Sequence, residues 1–223
     1  MKKISLILLL FSTKILLAQV EKQVGDFNKV TAFDQIDVQL IPSQETKVIL
    51  NGTNSEIVEV INKNGELKLR MPLTNLLNGD DVSATVYYKN INAVEANEGS
   101  RIAGENEIIA ANFEVIAKEG SEVFLKLNTS SLTLKLNDGS KATILGTAAN
   151  QDVLINAGSI YTAKGLKTSR TVITANAGGQ AAVYASDFVD AKVRAGGEIS
   201  IYGKPKKVTK KTIAGGKIYE KEE

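Results

Sequence analysis

The chain has no cysteine, no histidine and no tryptophan among its 223 residues. Without cysteine there is no disulfide framework and no N-terminal thiol to carry a lipid. Stability must then come from backbone ladders and apolar burial. Without histidine the commonest general base and the commonest transition-metal ligand are missing. His-dependent triads and ordinary His-containing zinc sites are excluded, while carboxylate, Lys, Arg and Tyr chemistry stays open. Charge of one sign is missing too. The chain carries 27 Lys+Arg against 25 Asp+Glu. Three of those cations, Lys2, Lys3 and Lys14, fall in the first eighteen residues, which hold no acid, so the rest has 24 cations against 25 anions. A chain that close to neutral has no general attraction to phosphate, and no nucleic-acid partner is expected.

Residues 1–18 have the layout of a secretory signal peptide. Lys2 and Lys3 precede an apolar run from Ile4 to Phe11 broken only by Ser5, and the small Ala18 offers a cleavage point before Gln19. The run is too short and interrupted to span a bilayer well, and no later stretch is long enough. The expectation is an exported chain with no transmembrane segment after cleavage, located in the periplasm, at the cell surface or outside the cell.

What is abundant is periodic glycine. Gly99, Gly120, Gly139, Gly158, Gly178, Gly196 and Gly215 follow one another at steps of 21, 19, 19, 20, 18 and 19. A period of that size is the mark of a solenoid. With each glycine at position zero, positions −5 and −3 read Val94/Ala96, Val115/Ala117, Leu134/Leu136, Val153/Ile155, Ile173/Ala175 and Ala191/Val193, all apolar. Positions +3 and +5 read Val123/Leu125, Ala142/Ile144, Tyr161/Ala163, Ala181/Val183 and Ile199/Ile201. Alternation with period two predicts a strand on either side of each glycine, each with one buried face. The glycine is the corner, where positive φ is needed. A second corner falls at +7, at Gly146, Gly165, Ala185 and Gly203, and a short third side carrying Leu166, Phe188 and Pro205 closes the coil.

The predicted fold is therefore all-β, a right-handed parallel β-helix of about seven coils and ~19 residues per coil over residues 91–219. At ~4.8 Å per coil the rod is roughly 34 Å long. Residues 19–90 do not follow the repeat. They alternate at Gln35–Leu40, Lys47–Leu50 and Val82–Tyr88 and carry an Asn64-Gly65 hairpin signal, and are read as β-structure that starts or caps the rod. Residues 220–223 are a charged tail. In the last coil Lys204, Lys206, Lys207, Lys210 and Lys211 read as edge protection or as a contact for an acidic partner. Ile213 stands at −2 where an inward residue belongs at −3, which predicts a register slip.

Several columns invite a functional reading. Asn137, Asn156 and Asn176 share one place in successive coils, as do Ser100, Ser121, Ser140 and Ser159; a ladder satisfying turn groups or a polar binding stripe would explain either. Tyr184 and Tyr202 share position +6 and point outward, as a sugar platform or a ladder that pins register. Lys192 and Arg194 project outward one coil from the end and could hold an anionic glycan. Asn78-Gly79-Asp80-Asp81 offers two adjacent carboxylates to calcium but lacks a spaced ligand pattern, so a plain turn is expected. Ile116 and Leu154 are apolar at the outward position −4, to be covered by the N-terminal segment or by a second copy. The acids Glu114, Glu119, Glu122, Asp138, Asp152, Asp187, Asp190 and Glu198 read as scattered, with no column.

The Ala-Gly-Gly and Glu-Gly-Ser strings before short alternating strands, after a Phe33-Asp34-Gln35-Ile36-Asp37-Val38 opening, resemble the putative auto-transporter adhesin head GIN domain family over residues 27–219. The resemblance implies an exported β-helical protein with an adhesin-like role, and it offers no catalytic motif to carry over. The expected function is non-catalytic, binding or structural, at the cell envelope, with carbohydrate or an envelope protein as partner. No cofactor, metal or catalytic residue is expected. A lyase or hydrolase acting on polysaccharide, or a self-associating envelope scaffold, are the alternatives. The oligomeric state is not read from the sequence.

Overall fold

The computed structural model describes residues 19–222, so the predicted leader lies outside the described residues. The strands of the N-terminal third are β1 (Val20–Gln23), β2 (Lys29–Ala32), β3 (Asp37–Pro42), β4 (Lys47–Asn51), β5 (Glu59–Lys63), β6 (Glu66–Arg70), β7 (Ser83–Tyr88) and β8 (Ala93–Ala96). Long bent strands follow as β9 (Arg101–Ala117), β10 (Glu122–Leu136) and β11 (Lys141–Ile155). After them come β12 (Ile160–Ala163), β13 (Leu166–Asn176), β14 (Gln180–Tyr184), β15 (Phe188–Arg194), β16 (Glu198–Tyr202), β17 (Lys207–Ile213) and β18 (Lys217–Glu220). Together they wind a β-solenoid of about 7 turns at ~19 residues per turn.

The predicted lining is the observed one. All twelve residues at −5 and −3 and all ten at +3 and +5 are buried, none more than 7% exposed. Parallel pairing holds like positions in register, for example Leu134 with Val153, Val153 with Ile173 and Ile173 with Ala191. The 21-residue first step has a local cause: between β9 and β10 the register jumps from Leu125–Gly104 to Lys126–Glu107, so β9 carries two extra residues in a bulge.

The corners are two-residue turns. Both the glycine and the residue before it have positive φ, as in Glu98-Gly99 at 55° and 71° and Ala157-Gly158 at 49° and 70°. Ser100 N donates to Asn97 C=O at 3.0 Å, and Ser159 N to Asn156 C=O at 3.2 Å. That is the pattern of a type I′ turn. The turns also bond along the axis: Gly99 N donates to Glu119 C=O and Gly120 N to Asp138 C=O, each at 2.9 Å.

The N-terminal third is threaded out of sequence order. β2 lies between β6 and β8, and β3 between β7 and β9, all parallel. The chain therefore enters at the second coil, moves outward to build the first, and returns at β8. The second coil turns at Asp34-Gln35, with φ of 59° and 66° and no glycine. Antiparallel strands close the outer end: β4 on β7, β1 on β4, and β5 on β6. Reversed strands terminate a parallel stack whose last coil would otherwise offer an unpaired edge.

At the far end the predicted register slip is absent. Val193 pairs with Thr212 and Arg194 with Ile213 without a break. Ile213 faces outward because its register says so, and the inward places opposite Ala191 and Val193 are taken by Lys210 and Thr212. Lys210 forms an ion pair with Glu220, which itself stands opposite the buried Ile201. Two charged side chains in lining positions thus form a polar lid over the last apolar coil, a device that discourages end-to-end pairing.

Candidate functional site

The interior offers little to a ligand. The serine column is fully buried, and the hydroxyls of Ser100, Ser121 and Ser140 donate to the carbonyls of Ala32, Ala96 and Ala117 at 3.0, 2.7 and 2.9 Å. The asparagines form an amide ladder: Asn156 Nδ2 donates to Asn137 Oδ1 at 2.7 Å and Asn176 Nδ2 to Asn156 Oδ1 at 2.8 Å. Asn176 Oδ1, at the ladder's end, has no partner. Both columns act as structural ladders. One interior feature was not foreseen. Tyr161 donates to Gln151 Oε1 at 3.0 Å, Gln151 Nε2 donates to Thr171 Oγ1 at 2.9 Å, and Thr168 Oγ1 donates to Tyr184 C=O at 2.5 Å. Burial pushes the Tyr161 hydroxyl far above its ordinary pKa, so it remains a neutral donor. Tyr161 as the lone aromatic at +3 was the available signal that the coil there needs polar partners.

The outer surface carries two charged ridges. The first runs along the glycine corners. Asp34, Glu98, Glu119 and Asp138 occupy the same corner position in four successive coils. Acids therefore do form a column, contrary to the sequence reading. The signal was present, since Glu119 and Asp138 both stand at −1; it was missed because only strand positions were compared. Asp34 is buried, and its carboxylate accepts from Met71 N at 2.9 Å and Leu77 N at 3.0 Å, anchoring the 71–82 loop. Where Leu76 and Leu77 meet Gln35, Glu98 and Glu119 there is an open cavity of about 490 Å³. Burial, then the negative charge of Asp34 and of Glu119, raise the Glu98 pKa. In the same loop Gly79 N donates to Asp34 C=O at 3.1 Å and Val82 N to Gly79 C=O at 2.8 Å, so the outermost coil turns at Asp80-Asp81.

The second ridge follows the +7 corner and the short third side in the later coils. Tyr184 and Tyr202 are cross-strand neighbours on β14 and β16, half-exposed. Each ring carries an ammonium group: Lys167 Nζ lies 3.8 Å from the Tyr184 centroid and Lys164 Nζ 4.7 Å from that of Tyr202. Arg170 covers Phe188 at 4.5 Å. Gly203 backs Tyr184 so closely that an added Cβ would come within 2.8 Å of the ring. Lys192 and Arg194 lie elsewhere, on β15, aligned with Thr174 and Asn176 on one side and Lys211 and Ile213 on the other. The structure thus brings the two tyrosines together with Lys164 and Lys167, and sets Arg170 on Phe188. Those cations escaped the sequence reading because the reach of a long side chain across a corner does not show in strand alternation.

Ile116 and Leu154 are not beneath the N-terminal segment. Ile116 stands between Glu95 and Lys135, and Leu154 between Lys135 and Thr174, in the middle of the rod, whereas the N-terminal strands stack at its end. Leu154 is 37% exposed.

No curated protein matches the sequence. Among solved structures the chain is similar to a putative adhesin from Bacteroides fragilis NCTC 9343, with TM-score 0.84 and 19% identity over 91% of this chain and 95% of that one. It is similar to a putative adhesin from Parabacteroides merdae ATCC 43184, with TM-score 0.71 and 15% identity over 92% and 95%. It is also similar to a putative lipid binding protein from Parabacteroides distasonis ATCC 8503, with TM-score 0.69 and 13% identity over 92% and 96%. At such identities these likenesses speak for the fold alone. The family model for the putative auto-transporter adhesin head GIN domain matches residues 26–205, and the chain belongs to that family.

Proposed function

We propose that the protein is an exported, non-catalytic contact protein of the cell envelope, adhesin-like in role, which meets carbohydrate or an envelope protein with the outer faces of a rigid rod. The observation that carries the reading is the packing of the tube. Its lining side chains are buried against one another, and its interior hydroxyls and amides bond to each other or to backbone carbonyls. A partner is then met only from outside. Corner turns bonded along the axis keep the outer columns at fixed spacing, so groups on them are pre-organised for an extended partner. Adhesin-like family membership agrees with this role. The purified protein should retain specific components from envelope extract or bind members of a glycan array. Silence in both assays would leave a purely structural role and defeat the proposal.

A further inference from the structure

The charge pattern of the outer columns narrows the partner. Like charges stacked across a coil spacing of ~4.8 Å repel, and some columns avoid this by alternating sign. Asp37 stacks on and pairs with Arg101 at 3.0 Å, and Glu122 stacks on and pairs with Lys141 at 2.9 Å. The second ridge gathers unpaired cations instead. Lys164, Lys167 and Arg170 are exposed on the corner and third side of one coil and Lys204 and Lys207 on those of the coil two further on, and none is in an ion pair among the described residues. Asp187, in the same short side, is already held by Lys206 at 2.6 Å and by Ser186 at 2.9 Å. Three of the cationic heads are steadied over the rings of Tyr184, Tyr202 and Phe188.

Resting on the adhesive-rod reading above, we infer that this ridge is a binding site for a linear anionic polysaccharide. The rings hold the cations rather than platform a sugar. A chain laid along the axis advances about one sugar per coil, and its acidic groups meet Lys167 and Arg170 over the rings of Tyr184 and Phe188 on the middle coil, then Lys164 over Tyr202 with Lys204 and Lys207 on the next. An open ridge with no enclosing walls suits a polymer rather than a small anion. Faces already covered by cations leave no platform for the stacked bases that single-stranded nucleic acid requires. Carboxylate and sulfate polymers share the chemistry, and the assay separates them.

The test uses the full chain after the leader, at low and moderate salt, with polygalacturonate, heparin, neutral dextran, single-stranded DNA and anionic vesicles as probes. Binding to one or both acidic polysaccharides is expected, weakening as salt rises, and the carboxylate and sulfate probes report which group is preferred. Lys164→Gln, Lys167→Gln and Arg170→Gln combined should weaken it about tenfold or more. Lys63→Gln with Lys89→Gln, at the opposite end of the rod, should leave it within about twofold. Circular dichroism of each variant checks that it stays folded. Absence of binding to every acidic polysaccharide, equal binding to dextran, or preference for DNA or vesicles would overturn the inference. So would loss of binding in Lys192→Gln/Arg194→Gln with the triple variant unchanged. If the wild-type rod still captures envelope components while acidic polysaccharides fail, only the ligand class falls. If both fail, the adhesive reading falls with it.

Discussion

Two glycine columns look alike in the sequence but differ in physical demand, and a pair of alanine substitutions separates them. Gly158 has φ of 70°, and an added Cβ would meet nothing within 4 Å. Ala157 before it already sits at 49°. Gly158→Ala therefore incurs only the left-handed backbone penalty, about 1–2 kcal/mol. Gly146 has φ of 103°, and its added Cβ would fall 2.1 Å from the Leu127 carbonyl oxygen. That oxygen belongs to the neighbouring coil's backbone and cannot rotate away. Gly146→Ala combines the backbone penalty with an overpacking penalty, and should be about 1–3 kcal/mol worse than Gly158→Ala. In a chain of this size each kcal/mol lowers Tm by about 2–4 °C. Thermal and urea unfolding followed by circular dichroism would read the difference. Equal losses in the two variants would show that the second column is a matter of φ alone, and that close approach of the coils is not what selects glycine there.

Three further outcomes are expected. Glu98 has a raised pKa, so the folded state binds its proton more tightly than the unfolded chain does; its charge weakens the fold near neutrality, and the penalty is relieved as pH falls through the folded value. Glu98→Gln should raise the unfolding midpoint at pH 7 and lose that advantage in acid, and a lower midpoint at pH 7 would refute the account. Arg194→Asn should extend the amide ladder by donating to the unpartnered Asn176 Oδ1, stabilising by about 0.5–1.5 kcal/mol in urea unfolding. Lys210→Val with Glu220→Val removes both charges from the last lining positions, and concentration-dependent association in sedimentation should appear; a variant that stays monomeric would count against the lid.

Legibility in this sequence follows locality. Val153, Ile155, Ile199 and Ile201 could be placed because a side chain's face depends only on parity and on the nearest corner, and all four are buried. The final coil was misread for the same reason. Apolar was equated with inward, so Lys210 and Thr212 in lining positions looked like a slip, although pairing continues unbroken. Threading order is not local at all. Nothing in Lys29–Ala32 says that it lies between Leu67 and Val94, and its corner, Asp34-Gln35, lacks the glycine that marks the later ones. At the ridge, the tyrosine pair was visible as a column, while its cations arrive from earlier coils across a corner.

Relief of charge also decides which of the two charged ridges is the more telling. The acidic corner has internal relief. Asp34 is bonded to two backbone N–H groups, and Glu98 has a raised pKa that lets it shed charge. The basic ridge has no such outlet, because none of its five cations has an ion-pair partner among the described residues. Its repulsion persists in the free rod and is removed only by an opposite charge from elsewhere. Lys207→Glu supplies that charge within the chain, aligned through Phe188 with Arg170. It should stabilise the free protein slightly, by about 0.2–1 kcal/mol at low salt, and less once salt shortens the screening length. The same substitution should weaken polysaccharide binding, so stability and affinity move in opposite directions. If Lys207→Glu instead destabilises the rod at low salt, the clustered cations are not in mutual conflict, and their clustering gives no reason to look for an anionic partner.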